Sequence, residues 1–157
     1  RGDPNRDCQC TVPQIERYMS KISGPLLDRI DIHLEVSAVP FGELSARQPG
    51  TSSAVIRQQV HVAREIQRKR FKKKGSTGNM YNARMTSRDI RLYCQIDSST
   101  MELLRSAVSN LGLSARAHDK VLRVARTIAD LDATDTIECQ HLSEAIQYRL
   151  LDRKLWT

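Results

Sequence analysis

Apolar positions recur along this chain with two different periods, a helical one over most of its length and a two-residue one over a single short run. Ile15, Met19 and Ile22 lie three or four residues apart, the spacing of one helix face. Thr11 can cap that helix, and its early Pro13 is tolerated because the first turn needs no donor there. Gly24-Pro25 interrupts it, and Leu26-Leu27 make a further short turn. In "IDIHLEVS", Ile30, Ile32, Leu34 and Val36 then alternate with Asp31, His33, Glu35 and Ser37, which predicts a strand with one buried face. It is the one convincing strand pattern in the chain. A single strand cannot satisfy its own backbone. Either a second strand is hidden in a weak segment or, the reading adopted, the sheet belongs to sequence outside this chain.

Beyond residue 51 the apolar period is helical. Residues 39–51 read as a linker. A long helix is expected from Ser52 to about Lys74, with Val55, Val60, Ala63 and Ile66 inward, until "GSTGNMYNA" breaks it. Four helices follow, over roughly 86–95, 98–111, 114–131 and 140–152. Ser87, Ser98, Ser114 and Cys139/Gln140 lie near their starts, the serines as candidate caps, and Gly112 ends the second. The expected fold is mainly α: a helical bundle preceded by a helix and one strand.

Composition supports this. Apolar residues make up 39% of the 157 and aromatics only 4%, so the core is expected to be built from Leu, Ile, Val and Ala. No apolar run reaches the ~18 residues of a membrane span, and no signal-peptide pattern is present. The chain opens at Arg1 without an initiator methionine, as expected of a piece cut from a longer protein. Four cysteines without scaffold-like density point to a reducing, cytoplasmic setting.

The net charge of +7 is concentrated rather than spread. Between Ser53 and Lys74 eight basic residues face a single acid, Glu65, so this window holds the whole excess. Arg64, Arg68, Lys69, Arg70, Lys72, Lys73 and Lys74 would either form a solvated face or track nucleic-acid phosphates. Only Phe71 accompanies them, so base stacking is not indicated and any binding is expected to be non-specific and salt-dependent.

Two further arginines stand out. In "GPLLDRID", Arg29 lies between Asp28 and Asp31, where the plain reading is a surface ion pair worth ~0–1 kcal/mol. In "SARAHDKVLRVARTIADL", Ala117, Val121, Val124, Ile128 and Leu131 form an apolar stripe, widened by Leu122, Ala125 and Ala129. Arg116, Lys120, Arg123, Thr127 and Asp130 share another face. Arg116 falls in the first turn, where a cation opposes the helix dipole and an anion would be favoured; by residue pattern alone a solvated cationic face is the simpler reading. Cys8 and Cys10 could share a zinc only with further ligands. Cys94 and Cys139 read as small core residues. His33, His61, His118 and His141 show no ligand pairing.

"ISGPLLDRIDIHLEV", the linker and "LGLSARAHDKVLRVARTIADLD…HLSEAIQYRLLDR" together resemble the C-terminal part of magnesium-chelatase-related AAA+ ATPases of the YifB/ComM type. The resemblance runs from "GDPNRDCQC" to "YRLLDR", in two long motifs separated by a variable middle. It implies that residues 1–38 are the tail of an α/β ATPase core, 39–51 a linker and 52–157 a helical lid. It implies an arginine-finger role for Arg29, reaching ATP held by the neighbouring subunit, and a sensor-two role for Arg116. The implied partners are the protein's own N-terminal core, identical subunits in a ring of hexameric kind, and DNA, with ATP-driven branch migration as the work done and no membrane involved. ATP and Mg²⁺ would be cofactors of the parent protein. None is expected on this chain alone, which lacks the pattern G-x-x-x-x-G-K-[ST] and a strand ending in paired acids. The related proteins carry further cysteines upstream of Cys8, so a zinc knuckle in the parent is the metal-binding alternative. The rival class is a non-enzymatic helical DNA-binding or adaptor domain, suggested by the basic helix and the terminal "TIECQHLSEAI".

Overall fold

The structure, a computed structural model, describes residues 9–34, 36, 39, 41–45, 50–72 and 81–149. Its helices are α1 (Val12–Met19), α2 (Gly24–Leu27), α3 (Phe41–Ser45), α4 (Ser53–Lys72), α5 (Ser87–Tyr93), α6 (Ser98–Leu111), α7 (Ala115–Leu131) and α8 (Cys139–Gln147), with a 3₁₀ turn at Asn82–Arg84. The mainly α class therefore holds, and the four C-terminal helices start close to the expected positions; the last ends at Gln147 inside the expected 140–152, of which 150–152 lie outside the described residues. The expected strand does not form among the described residues. Ile30, Ile32, Leu34 and Val36 are 41, 47, 67 and 87% exposed; their alternation is real, but no neighbouring strand among the described residues completes the ladder.

The bundle is built around α7, which packs on α8, α4 and α5, while α6 packs on α8. Small residues at four-residue spacing make this close approach feasible. Ala117, Val121, Ala125 and Ala129 are each at most 1% exposed, and Ala145 of α8 is buried with them. Backbones can meet closely where side chains are short, because the side chains at the contact set interaxial distance. The stripe is thus rotated from the expected one toward the alanines: Leu131 is exposed, and Ala125 and Ala129 are wholly buried.

Caps fix the helix starts. Ser114 Oγ accepts the Ala117 amide at 3.1 Å, as expected. The other two serine caps fall one residue late: Thr86 Oγ1 accepts the Asp89 amide at 3.3 Å, and Asp97 accepts the Thr100 amide at 2.7 Å. Hydrogen bonds from the Thr100 side chain and amide hold the Asp97 carboxyl below its ordinary value. This cap is therefore intact above the ordinary carboxylate pKa and is lost as pH falls through the lowered one. Gly112 closes α6 at φ +62°, the left-handed conformation that glycine adopts at no steric penalty.

Helix α4 departs from expectation in which face it buries. Ala63, Gln67 and Phe71 point inward, whereas Val55 and Val60 are 49 and 46% exposed. Only its C-terminal half lies against the bundle. Exposed large apolar residues concentrate the same way, with Leu92, Met101 and Leu131 the only ones beyond residue 62 among the described residues.

Candidate functional site

The segment around Arg29 is held to the bundle by its backbone. Leu27 is buried, and the chain turns after it, the Arg29 and Ile30 amides bonding to the Leu26 and Leu27 carbonyls at 3.0 Å. Lys120 Nζ of α7 donates to the Arg29 carbonyl at 2.5 Å and pairs with Asp31 Oδ1 at 2.5 Å. Arg149, just past α8, donates through Nη1 to the Ile30 carbonyl and lies 3.8 Å from Asp28 Oδ1. The His33 amide bonds to the Tyr148 carbonyl at 2.9 Å. Both carboxylates that could have paired with Arg29 thus face other cations. The Arg29 side chain is exposed and makes no ion pair among the described residues.

Arg116 is the second residue of α7 and is also exposed. Lys120, which grips the Arg29 carbonyl, follows it by four residues, on the same helix face about 6 Å along the axis. The structure therefore ties the backbone of Arg29 to a residue one helical turn from Arg116 on α7. A recess of about 200 Å³ between Gly24, Leu27 and Asp28 on one side and Leu111–Ser114 on the other lies where this turn meets the start of α7. Along α7, a groove of about 360 Å³ runs between Asp31, Ile32 and Leu34 and the side chains of Lys120, Arg123 and Val124. The shared polar face read from the sequence is thus largely covered: Lys120 is 9% and Asp130 0% exposed.

Beneath Asp130 lies a buried polar network that sequence reasoning missed. Arg70 of α4 engages Asp130 with both terminal nitrogens, Nη1 to Oδ2 at 2.8 Å and Nη2 to Oδ1. Asn82 donates through Nδ2 to Asp130 Oδ2 at 2.7 Å and to Thr127 Oγ1 at 3.1 Å. Arg126 Nε donates to Asp130 Oδ1 at 3.1 Å, and its Nη1 and Nη2 reach the Asp135 and Thr134 carbonyls, both at 2.6 Å. Burial pulls the Arg126 pKa down from its ordinary value, and Asp130 pushes it back. The available signal was Arg126 and Asp130 at i, i+4 on one helix.

This network corrects the cationic set. Arg70 is turned inward, 12% exposed at its side chain and paired with Asp130, so it does not belong to a phosphate-tracking face. Arg64 is exposed but stacks 4.0 Å over the Tyr81 ring, and Arg68 pairs with Glu65 on the surface. Lys69 and Lys72 are exposed. Lys73 and Lys74 lie outside the described residues, as does Cys8.

Among the described residues no group of three His, Cys, Asp or Glu could hold a metal ion. Cys94 is buried, its thiol pushed up to about 11 by desolvation. Cys139 is exposed rather than in the core, because it is the first residue of α8, with Sγ 3.2 Å from Thr100 Oγ1. His141 is structural: Nδ1 accepts the Glu138 amide at 3.0 Å, leaving Nε2–H to face Asp132 at 3.2 Å. No described helix is long and apolar enough to cross a membrane.

Residues 50–149 match the family described as magnesium chelatase, subunit ChlI C-terminal, and residues 1–44 match magnesium chelatase, subunit ChlI. The chain is 45% identical over 156 residues to the uncharacterized protein YifB of Escherichia coli strain K12, covering 99% of this chain and 29% of that protein. It is 40% identical over 143 residues to the competence protein ComM of Haemophilus influenzae, covering 90% of this chain and 27% of that one. The chain thus spans less than a third of the length of these relatives.

Proposed function

This chain belongs to the magnesium chelatase subunit ChlI C-terminal family, and from that premise we infer that it forms the C-terminal part of a ring-forming AAA+ ATPase. Residues 1–38 complete the ATPase core, 39–51 link, and 52–157 form the helical lid. Arg29 serves as arginine finger toward ATP on the adjacent subunit of a hexamer, and Arg116 as the sensor-two residue. The observation that carries this reading is the exposed guanidinium of Arg29, which makes no ion pair among the described residues while its flanking carboxylates face Lys120 and Arg149 instead. Phosphoryl transfer needs positive charge at oxygens that gain negative charge, and a planar, permanently charged fork supplies it without proton bookkeeping. The uncovered apolar residues between 12 and 62 further support a missing core, since a lone bundle gains nothing by exposing Ile30, Ile32, Leu34 and Val36.

The test is ATP turnover by the whole protein. Turnover is expected from the full-length chain with Mg²⁺ and none from residues 1–157 alone, because the phosphate loop is absent here. Arg116→Ala in the whole protein should lower turnover by roughly 10²-fold, the scale of losing one preorganised charge at the transition state. Wild-type turnover by that variant, or hydrolysis by this chain alone, would refute the assignment.

DNA is the proposed substrate of the motor, with branch migration the proposed work, supported by the cationic end of α4 and the name of the competence relative. With Lys69 and Lys72 exposed, each substitution to Ala should reduce the slope of log K against log [salt] by about 0.9. Arg70→Met should leave that slope unchanged and lower the melting temperature instead, since its guanidinium is spent on Asp130. A slope that falls equally for Arg70 would contradict the inward placement.

A further inference from the structure

We propose that Lys120 and Arg149 are positioning residues that bind the Arg29 turn to the lid, so that Arg29 and Arg116 move as one body. Four consecutive residues are held in alternation. Asp28 and Ile30 face Arg149, through a carboxylate and a carbonyl. Arg29 and Asp31 face Lys120, again through a carbonyl and a carboxylate. The one charged side chain of the turn left outside this clamp among the described residues is that of Arg29, which is exposed.

Lys120 is the more telling of the two cations. A lysine with 9% of its surface exposed is tolerated only when its ammonium is partnered. Both of its partners among the described residues come from this turn, 91 and 89 positions earlier in sequence, and neither from the helical bundle itself. Its charge has a use only if the turn is seated. Arg116 lies one turn earlier on the same helix, so a rigid rotation of α7 carries both arginines. Residue 29 precedes the linker in sequence, yet its mechanical attachment is to the lid.

The inference rests on the proposed role of Arg29, and the experiment separates the two. In the whole protein, Lys120→Met keeps the aliphatic stem and removes the donor. It should lower kcat by roughly tenfold or more with KM for ATP nearly unchanged, because small misplacement of a charge-stabilising group costs up to about 10²-fold. Lys120→Arg should restore much of the loss, since a guanidinium can still bridge a carbonyl and a carboxylate. In an Arg29→Ala background, Lys120→Met should cause no further loss. If the two losses multiply, Lys120 acts independently and the inference fails while the role of Arg29 stands. If Arg29→Ala alone leaves turnover intact, the arginine-finger reading fails, and this inference with it.

A second readout needs no ATPase. Trypsin scission of this chain after Arg29 requires the turn to lift from α7. Lys120→Met, or the gentler Asp31→Asn at a half-exposed partner, should speed that cut by about tenfold, because cleavage tracks the population of the opened segment. An unchanged rate in both variants would show that the clamp does not hold the turn.

Discussion

Replacing Asp130 with Ala should destabilise this chain by about 3–5 kcal/mol, the range for removing one partner of a buried ion pair. Asp130 is wholly buried and is the anion shared by Arg70 and Arg126. Without it, two guanidinium groups remain in the same pocket with no counter-charge, and the Asn82 amide loses an acceptor. At roughly 2–4 °C per kcal/mol for a chain of this size, the melting temperature should fall by about 6–20 °C. Asp130→Asn should also lose most of that stability, because it keeps the shape and one acceptor but not the charge. Arg70→Met should do less damage, since Arg126 still neutralises Asp130. Added salt should restore little, because screening acts weakly on buried pairs. A drop of under about 1 kcal/mol for Asp130→Ala, measured by denaturant or thermal unfolding, would mean that the network is incidental to the fold.

The network also explains why some elements were legible in the sequence and others were not. The helices from residue 86 onward carry their own instructions: caps at their starts, Gly112 at a stop, and apolar residues at helical spacing that meet partners inside the same chain. The period-two run at Ile30–Val36 carries an equally clear instruction that meets no partner strand among the described residues, so the pattern is visible without the strand. Helix α4 departs from its sequence pattern for a related reason. Its apolar positions at Val55 and Val60 suggested an inward face, but only the half beyond Ala63 meets the bundle. Polar side chains were the hardest to place. Lys120, Arg126 and Asp130 look like surface residues by type and are buried because each meets partners 4 to about 90 positions away. Apart from the i, i+4 spacing of Arg126 and Asp130, residue type and local spacing cannot register such pairings. Arg29 was the reverse case, since its local acids suggested an ion pair that distant cations pre-empt.

Arg29→Ala in the whole protein should reduce ATP turnover by about 10³-fold or more, the contribution of an arginine supplied to a phosphoryl transition state. That corresponds to roughly 4 kcal/mol of lost transition-state stabilisation. The same substitution should leave the stability of this chain within about 0.5 kcal/mol of the original, because the side chain is exposed and makes no ion pair among the described residues. The contrast between the two measurements is the diagnostic. A structural arginine would lose stability and activity together, and a solvated one would lose neither. Arg29→Lys should rescue little, since an ammonium is a point charge and cannot present a planar fork to two phosphate oxygens at once. The loss should also be transmissible. An arginine acting on a neighbour's nucleotide disables a site it does not itself line, so mixing Arg29→Ala subunits with subunits defective in their own phosphate loop should recover turnover at the sites that pair an intact loop with an intact arginine. Mixed rings with no recovered turnover, despite confirmed co-assembly, would place Arg29 on its own subunit's nucleotide instead.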